Sequence, residues 1–562
     1  MKRSIKSVLA GFMCAVILPS AFACGGGSAG GDANELTLFR WDFSYVNTAK
    51  KMNSPLYKAV SDAIGGVELT AITTGSDTWE DTITRRFNTN ELPDLFITKG
   101  PESPDLYYKM IRDEAIVPVS DYVSETEYPN LYRQLQKYDF LKENVYYAEG
   151  KHWSVPINWS LEFAMYVRTD WIDNLNKPEK LTEILTDELG HTPSAAELEA
   201  GKFKQPDDLV EFYRLARAFT LYDPDENGQN DTYGYSSSDC YTDNWIYEAF
   251  GGYNHMIAAG DGYTNSSVTE GNKKAVAFIN RLISEGIMDP DWVTNNVDDK
   301  QTKFMQGKVG MMLAHTWYNT ILTGFMAANF GETIESATAK IDMIEPPAGP
   351  DGTRGVKGHP DFWTVICINA DMGEAKIAKA LELLDFLHSD EGLDLFLYGI
   401  EGIHYEEDES GEKVSKMGQN SKGFNYTLLS YERATVLGTY AWWTSDYFSP
   451  YATNADKIIA IMEKAKEYNT YDDVPYLQTP KYVEYSDSLQ EFYETSITNM
   501  VRDKSFYSGE YSARGKVTWD NLIIVNDSLD NAWAAYTREY LDDYHGQEVI
   551  DEYNEYAKKL GY

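Results

Sequence analysis

Residues 223–231, with the sequence DPDENGQND, place oxygen-bearing side chains at the spacing of an EF-hand calcium loop. Gly228 at the sixth loop position permits the sharp turn that such a loop makes. Gly234 stands where the usual bidentate glutamate would be, so another carboxylate or a water molecule would have to complete the shell. A metal-free acidic turn is the alternative interpretation. The pattern predicts structural Ca²⁺ held by Asp223, Asp225, Asn227, the backbone carbonyl of Gln229, and Asp231.

Aromatic residues beside carboxylates, amides or histidines recur along the chain, and such neighbours provide the chemistry that binds a sugar. A sugar presents apolar C–H faces to aromatic rings and a rim of hydroxyl groups to polar side chains. The candidate ligand-binding residues are Trp41, Asp42, Trp159, Asp243, Trp245, His315, Trp317, Asp361, Trp363, Trp442 and Trp443. For any single tryptophan, packing in a hydrophobic core is the alternative. Trp79, Trp153 and Trp171 are assigned to the core.

The acidic residues could instead serve glycoside hydrolysis, which needs two carboxylates flanking the scissile bond. Glu162, Glu248, Asp361 and Glu401 can be proposed among the 88 acidic residues, but no local motif selects a pair. The metalloprotease motif H-E-x-x-H and the Walker A motif are both absent from the sequence. We therefore predict a binding protein without enzymatic activity. A secreted glycoside hydrolase acting on an oligosaccharide is the alternative.

The N-terminus has the parts of a secretory signal: three basic residues within the first six, then an apolar run at residues 8–18. Small residues precede Cys24, and the GGGSAGG tract after it is flexible. This arrangement resembles the lipobox of bacterial lipoproteins, although Ala21 replaces the usual leucine. We predict a signal peptide over residues 1–23 and a flexible tether over residues 24–33, lipid-anchored through Cys24. Ordinary cleavage that releases a soluble protein is the alternative.

The formal net charge of −39 argues against nucleic acid and anionic membrane surfaces as partners, because the electrostatic field repels both. The signal peptide carries three positive charges, so the exported chain is more acidic still. The field also disfavours a highly anionic ligand, unless a local basic pocket overrides it. No later segment has about 18 uninterrupted apolar residues, so we expect the lipid anchor to be the chain's only attachment to the membrane.

Three early segments have the apolar patterns of strands, at residues 35–41, 67–72 and 92–97. Helical stretches separate them, which indicates βα units and a mainly parallel sheet. Ligands of such sheets bind at the carboxyl ends of the strands. The sequence therefore predicts Trp41 and Asp42 at one edge of the sheet, beside the residues that follow the third strand.

Five motifs occur in a recognisable order: PDLF from residue 93, EGKHWSVP from 149, VRTDWID from 167, FMQGKVGM from 304 and SDEGLDLFLYGIEGIHY from 389. Behind a signal sequence, this order resembles the extracellular solute-binding proteins of bacterial ABC importers. The similar group is the carbohydrate-binding one, which includes maltose-binding and alginate-binding proteins. The resemblance covers residues 35 to about 405. It implies an α/β fold of two lobes, like that of periplasmic binding proteins, with hinge crossings and a ligand cleft between the lobes.

The resemblance also implies an organisation and a role. The first lobe would hold residues 34–157 and 345–435, and the second lobe residues 158–344 and 436–562. The protein would act as a monomer on the outer face of the cytoplasmic membrane, delivering an oligosaccharide to the permease subunits of an ABC importer. In maltose-binding relatives the position of Trp317 carries a stacking aromatic ring. In alginate-binding relatives a similar calcium loop is structural. The sequence does not identify the sugar, and a peptide or a polyol is an alternative ligand.

Overall fold

The computed structural model describes residues 32–42, 54–75, 78–158, 163–238, 243–316, 318–330, 333–356, 362–416, 455–465, 467, 474–507, 509 and 515–562. These residues form two lobes, each with its own hydrophobic core. The first core takes its residues from 36–157 and 362–396. The second core takes its residues from 163–356 and 465–549. The chain therefore leaves the first lobe, builds most of the second, returns to the first and ends in the second.

Helices and strands alternate along most of the described chain. The first stretch forms β1 (Glu35–Asp42), α1 (Pro55–Ala63), β2 (Glu68–Gly75), α2 (Trp79–Asn88), β3 (Leu95–Thr98), α3 (Pro104–Arg112), α4 (Pro129–Gln136), α5 (Phe140–Asn144) and β4 (Val155–Asn158). The next stretch forms β5 (Phe163–Arg168), α6 (Thr169–Leu175), α7 (Pro178–Leu189), α8 (Ala195–Ala200), α9 (Leu209–Leu221), β6 (Tyr233–Tyr235), α10 (Asn244–Glu248), β7 (Met256–Ala259), β8 (Gly262–Asn265), α11 (Glu270–Ser284), α12 (Val297–Met305), β9 (Val309–His315), α13 (Tyr318–Phe330), α14 (Ile334–Ala339) and β10 (Ile341–Ile344). The last stretch forms β11 (Phe362–Ile368), α15 (Glu374–Leu387), α16 (Asp390–Leu397), β12 (Tyr405–Glu407), β13 (Lys413–Ser415), α17 (Ala455–Ala465), α18 (Pro480–Arg502), α19 (Trp519–Leu522), α20 (Asp527–Arg538), a π-helical turn (Glu539–Asp543) and α21 (Gly546–Leu560).

The sheet of the first lobe has five strands in the order β2-β1-β3-β11-β4. Strand β1 is parallel to β2 and β3, whereas β11 is antiparallel to both of its neighbours. The three strands predicted from the sequence correspond to β1, β2 and β3. Pro93 precedes β3, where its missing N–H interrupts no ladder. Only β11 runs against the other four strands, so the predicted mainly parallel sheet is confirmed.

The sheet of the second lobe has four strands in the order β10-β5-β9-β6. Every residue of β5 is buried, because cores lie on both of its faces. Met165 and Val167 point into the main core of the lobe, and Ala164 and Tyr166 point into a smaller one. Ile458 of α17 packs in the smaller core, which explains why a helix from late in the chain belongs to this lobe.

Both strands that arrive from the other lobe run against their neighbours. Strand β5 follows the crossing from β4, and it is antiparallel to β9 and β10. Strand β11 follows the crossing from β10, and it is antiparallel to β3 and β4. Such a strand starts at the edge of the sheet that faces the other lobe, whereas its neighbouring strands end at that edge. It is therefore antiparallel to them. This geometry makes the strand ends of the two lobes meet at the crossings.

The structure places the second crossing later than the predicted boundary at residue 345. Ala348 exchanges backbone hydrogen bonds with residues 207 and 209, and Val356 is buried in the second core. Residues 345–356 therefore pack on the second lobe, because their backbone is bound to the start of α9. The other predicted lobe boundaries remain predictions.

Three tryptophans that the sequence assigned to the core are indeed buried, namely Trp79, Trp153 and Trp171. Cys367 is also fully buried, and it forms no disulfide with any residue that the structure describes. Burial raises the pKa of its thiol. Within the described ranges, no helix has both the length and the apolar character needed to cross a bilayer.

Candidate ligand-binding cleft

The edge of the first sheet that faces the crossings collects the ends of four strands and the start of the fifth. Strands β1 and β3 end there at Asp42 and Thr98. Phe362 at the start of β11 pairs with Asn158 at the end of β4. The backbone therefore brings the neighbourhoods of residues 41, 98, 158 and 362 to one edge, although they are far apart in sequence.

The second sheet has a matching edge at the ends of β6 and β9. His315 at the end of β9 pairs with Phe163 at the start of β5. The His315 ring stacks on the Phe163 ring with centroids 4.3 Å apart, and it lies 5.7 Å from the Tyr318 ring. His315 is partly exposed, and its backbone lies at this edge of the second sheet; its contact with a ligand stays a prediction.

Eight of the other predicted ligand-binding residues fall into two groups. Trp41, Asp42 and Trp363 have backbones at the edge of the first sheet, but their side chains lie outside the description. Five others lie wholly outside the described residues, as does Cys24; they are Trp159, Trp317, Asp361, Trp442 and Trp443. The prediction that these side chains contact a ligand stays a prediction.

Trp245 and Asp243 are placed in the core rather than at the cleft surface, which corrects their assignment from the sequence. Trp245 is fully buried, with its ring edge-on to Phe212 at 4.9 Å. The Trp245 indole N–H donates to the hydroxyl of Tyr235 at 3.0 Å, and that hydroxyl donates to Asp243 at 3.0 Å. This chain of bonds engages the Trp245 indole and the Asp243 carboxylate, so these two residues hold α10 against β6.

A cavity of about 420 Å³ lies between the two lobes, and we call it the interlobe cavity. It begins at Lys99, the residue directly after β3, so it is continuous with the edge of the first sheet. Its walls are Lys99, Glu102, Pro104, Tyr253, Asn254, His255, Met256, Asn265, residues 474–478, Tyr482, Ser486, Asp487, Leu489, Gln490, Tyr540, Gly546, Val549, Ile550 and Tyr553. Its volume is in the range of cavities that hold small molecules.

Residues 474–479 form a further crossing, and hydrogen bonds fix it to the first lobe. The Gln478 backbone N–H donates to the carbonyl of Asn144 at 3.0 Å, and its side-chain amide donates to the carbonyl of Pro101. The Tyr476 hydroxyl donates to Glu102 at 2.8 Å. The Tyr476 ring also meets the Phe362 ring edge-on at 6.2 Å. One wall of the interlobe cavity is thus attached to the edge of the first sheet.

Glu80 holds the end of β3 in place beside the cavity. Its Oε1 accepts hydrogen bonds from the Thr98 hydroxyl and from the Lys99 backbone N–H, both at 2.9 Å. Burial raises the pKa of Glu80, and the bonds from Lys99 and Thr98 oppose that rise. Glu80 lies in the first turn of α2, where the helix dipole favours a carboxylate. The direction of the chain where Lys99 enters the cavity is therefore set by Glu80.

The cavity residues that the sequence analysis missed are tyrosines and amides. Five tyrosines line the cavity, at positions 253, 476, 482, 540 and 553, together with the side-chain amides of Asn254, Asn265, Gln478 and Gln490. Burial raises the pKa of Tyr540 to about 12, so its hydroxyl stays protonated at neutral pH. The only sequence signal for these residues is the count of 41 tyrosines, which has no positional content.

The acidic loop is compact, and its polar groups turn inward. Asp223 accepts hydrogen bonds from the backbone N–H groups of Asn227 and Gly228, both at 3.0 Å. The Asn227 side-chain amide donates to Asp225 and Asp231 at 3.0 Å each, so its NH₂ group lies between two carboxylates. Lys308 forms an ion pair with Asp231.

The donor set of this loop fits a hard cation. Asp225 Oδ1 is buried without a hydrogen-bond partner, and burial together with the neighbouring Asp223 raises the pKa of Asp225. A divalent cation would relieve both conditions, because it binds carboxylate oxygens that lack other partners. In the described ranges, including this loop, no group of three His, Cys, Asp or Glu side chains is close enough to hold a metal ion by itself. Amide and carbonyl oxygens would therefore have to contribute ligands.

A family model described as bacterial extracellular solute-binding protein matches residues 49–393, more than half of the chain. The polygalacturonan/rhamnogalacturonan-binding protein YtcQ of Bacillus subtilis (strain 168) is 26% identical over 312 residues, which are 54% of each chain. Lipoprotein LipO of the same organism is 22% identical over 371 residues, which are 63% of this chain and 64% of LipO. The chain thus matches between about half and two thirds of the length of these curated relatives.

Solved structures resemble the whole fold. The alginate-binding protein AlgQ2, in a crystal structure without calcium ion, has a TM-score of 0.63 at 13% identity, covering 93% of this chain and 98% of that one. The S. pneumoniae ABC-transporter substrate binding protein FusA, in complex with kestose, has a TM-score of 0.61 at 16% identity, covering 94% and 99%. These matches confirm the predicted two-lobe α/β fold class. With the family match they also confirm the resemblance found in the sequence: the chain belongs to the family of bacterial extracellular solute-binding proteins.

Proposed function

We propose that this protein is the substrate-binding component of an ABC importer, which holds an oligosaccharide between its lobes and delivers it to a membrane permease. The observation that carries the proposal is the interlobe cavity, which five tyrosine rings and four side-chain amides line. Tyrosine rings give flat faces to sugar C–H groups, and amides pair a donor with an acceptor for neighbouring hydroxyls. The relatives support a carbohydrate ligand, since YtcQ is named a polygalacturonan/rhamnogalacturonan-binding protein and FusA was solved in complex with kestose.

Capture would follow from closure of the lobes around the sugar. The cavity walls come from both lobes, and the segment fixed by Gln478 continues directly into α18 of the second lobe. A ligand that contacts both walls binds the closed arrangement more tightly than the open one, and so shifts the population toward closure. The closed surface would be the form that the permease recognises.

A thermal-shift screen against oligosaccharides tests the proposal. A ligand that binds only the folded protein stabilises it by mass action and so raises its melting temperature. At a ligand concentration 100 times the dissociation constant, the stabilisation is about 2.7 kcal/mol. Each mixture is then examined for cleavage products. A shift with one sugar class and no products supports a binding protein, whereas turnover would support the glycoside hydrolase alternative. Shifts with peptides or polyols alone would contradict a carbohydrate ligand.

We expect Tyr476→Ala to weaken sugar binding about tenfold or more, because it removes a ring from the cavity wall and releases Glu102 and Gln478. Isothermal titration with the sugar found in the screen measures the change. Tyr146→Ala is the matched control, since Tyr146 is 49% exposed and lies beside the same crossing but does not line the cavity. Equal affinities for both variants would place the ligand elsewhere.

We further propose that Cys24 carries a lipid that holds the monomeric protein on the outer face of the cytoplasmic membrane. The signal-like N-terminus and the similarity to the lipoprotein LipO support this anchor. Cys24→Ser should move the protein from the membrane fraction to the medium, as measured by immunoblotting of fractionated cells. Wild-type protein already found in the medium would favour the soluble alternative.

We also propose that the acidic loop binds Ca²⁺ in a structural role. Asp223, Asp225, Asn227, Asp231 and the Gln229 carbonyl would hold the ion, and its charge would neutralise the convergent carboxylates. The melting temperature in millimolar Ca²⁺ should then be higher than that in EGTA, and the Asp225→Asn variant should show no such difference. Asp261→Asn, an exposed change outside the loop, should retain it. The absence of a rise in the wild-type protein would favour the metal-free turn.

A further inference from the structure

We infer that the ligand is a neutral oligosaccharide and that the interlobe cavity discriminates against uronate-bearing sugars. This inference rests on the proposed function and narrows its substrate class, and it sets this chain apart from YtcQ, which is named for polygalacturonan, a polyuronate. A chain of uronic acids carries one carboxylate per residue, so its site needs cationic side chains that are free to pair with those carboxylates. A neutral sugar needs donors and acceptors without net charge.

The charges that line the cavity do not favour an anion. Among the described residues of the lining, Lys99 and His255 are the basic side chains, and Glu102 and Asp487 are the carboxylates. Glu102 is itself partly buried and accepts the Tyr476 hydroxyl at 2.8 Å, which fixes a negative charge in the wall. A uronate carboxylate beside Glu102 would meet a like charge in a partly buried wall, where repulsion is screened less than in bulk water.

One of the two basic side chains of the described lining, His255, already has a carboxylate as its partner. His255 Nε2 lies 3.1 Å from Glu248 Oε1, and its Nδ1 lies 2.9 Å from the Met256 carbonyl. Any positive charge on His255 is therefore balanced by Glu248, which is 1% exposed. The Lys99 backbone N–H is bound to Glu80 at 2.9 Å, and its single side-chain charge is outnumbered by the two carboxylates of the described lining, Glu102 and Asp487.

The uncharged polar groups, in contrast, suit hydroxyls. Ser486 Oγ is buried in the cavity wall without a hydrogen-bond partner. Asn254 donates to Gln490 at 2.5 Å, which aligns two amides along the same wall. A hydroxyl can both donate and accept, so it can satisfy a serine or an amide in either orientation, whereas a carboxylate can only accept. The wall therefore matches a polyhydroxylated neutral surface.

Pairs of trisaccharides that differ only in their carboxylates test this inference. Trigalacturonate, trimannuronate and triglucuronate are each titrated beside their carboxyl-reduced counterparts, at low ionic strength, where charge effects are largest. The neutral oligosaccharides of the thermal-shift panel are titrated in the same buffer. We expect binding of neutral sugars only, with every uronate at least tenfold weaker. A uronate that binds as tightly as its reduced counterpart, with affinity that falls as salt is added, overturns the inference and leaves the proposed function intact.

Charge variants of the wall locate the discrimination. Glu102→Gln combined with Asp487→Asn should strengthen uronate binding at least threefold relative to neutral sugar, because it removes the two carboxylates of the lining. Glu484→Gln is the matched control, an exposed acidic residue of α18 outside the cavity. An unchanged preference in the double variant contradicts selection by this cavity. If no sugar of either class binds, the proposed function fails, and the inference fails with it.

Discussion

An Asp289→Asn variant should lose about 2 to 3 kcal/mol of unfolding free energy, because it breaks a buried charged network under the edge of the second sheet. Asp289 is 1% exposed and accepts hydrogen bonds from Lys303 at 2.8 Å, Asn295 at 2.9 Å and Ser236 at 2.8 Å. Ser236 directly follows β6, so the network also fixes the end of that strand. An asparagine amide cannot accept all of these bonds, and Lys303 loses a buried counterion.

Urea unfolding of the wild type and two variants measures the loss. Asp291→Asn is the matched control, because Asp291 pairs with the same Lys303 but is 65% exposed. Exposed pairs contribute at most about 1 kcal/mol, so the control should stay close to the wild type. Similar losses in both variants would contradict the role given to burial.

The effect of Asp289 should also depend on pH. Burial alone would raise the pKa of Asp289, but the bonds from Lys303, Asn295 and Ser236 together hold it below the ordinary value of 3.8. A carboxyl whose pKa is lower in the folded state stabilises the protein fully above its unfolded pKa. The difference between wild type and Asp289→Asn should therefore be constant near neutral pH. It should shrink as the pH falls below about 3.8 toward the lower pKa of the folded protein.

Gly349→Ala should destabilise the protein by at least about 3 kcal/mol, because the added Cβ has no room. It would lie 1.7 Å from the carbonyl oxygen of Ala249, a backbone atom that no side-chain rotation can move. The Gly349 N–H donates to Thr353 at 2.7 Å, which holds the glycine in this position. The segment before the crossing would have to leave the second lobe to accept the change.

Gly75→Ala provides the comparison for this variant. Its Cβ would meet the Thr78 hydroxyl at 3.7 Å, an ordinary contact, and Gly75 has no unusual backbone conformation. Thermal unfolding should place it within about 0.5 kcal/mol of the wild type, as for most surface changes. A Gly349→Ala protein as stable as this control would mean that residues 345–356 can move away from α10 at little cost.

The sequence predicts the framework of the cleft better than its walls. Apolar and polar residues alternate over residues 35–41 because one face of β1 packs on a core. This cause acts within a single strand, so the pattern can be read from the local sequence. The tyrosines of the interlobe cavity have no such pattern. Tyr253 and Tyr553 reach the same cavity from elements 300 residues apart, and only the tertiary fold brings them together.

Trp245 shows why a polar neighbourhood is a weak guide to a binding site. Its flanking Asp243 and Asn244 gave the segment the composition of a sugar site, yet Tyr235 satisfies both the indole and the Asp243 carboxylate. Tyr235 lies ten residues before Trp245 in the short strand β6, and tyrosine is a common strand residue, so nothing in the sequence marks it as the partner. The sequence contains the bonding groups but not the information on which of them bond to each other.

The position of β11 between β3 and β4 has a consequence for biogenesis. Strand β11 fills the gap between β3 and β4, and it is made only after most of the second lobe. A chain emerging from an export channel therefore cannot close its first sheet until about residue 368 has emerged. Until then the strand edges of β3 and β4 stay unpaired and open to wrong partners. Some 200 residues separate β4 from β11. We therefore expect export of this protein to depend on chaperones that cover these strand edges until β11 has been made.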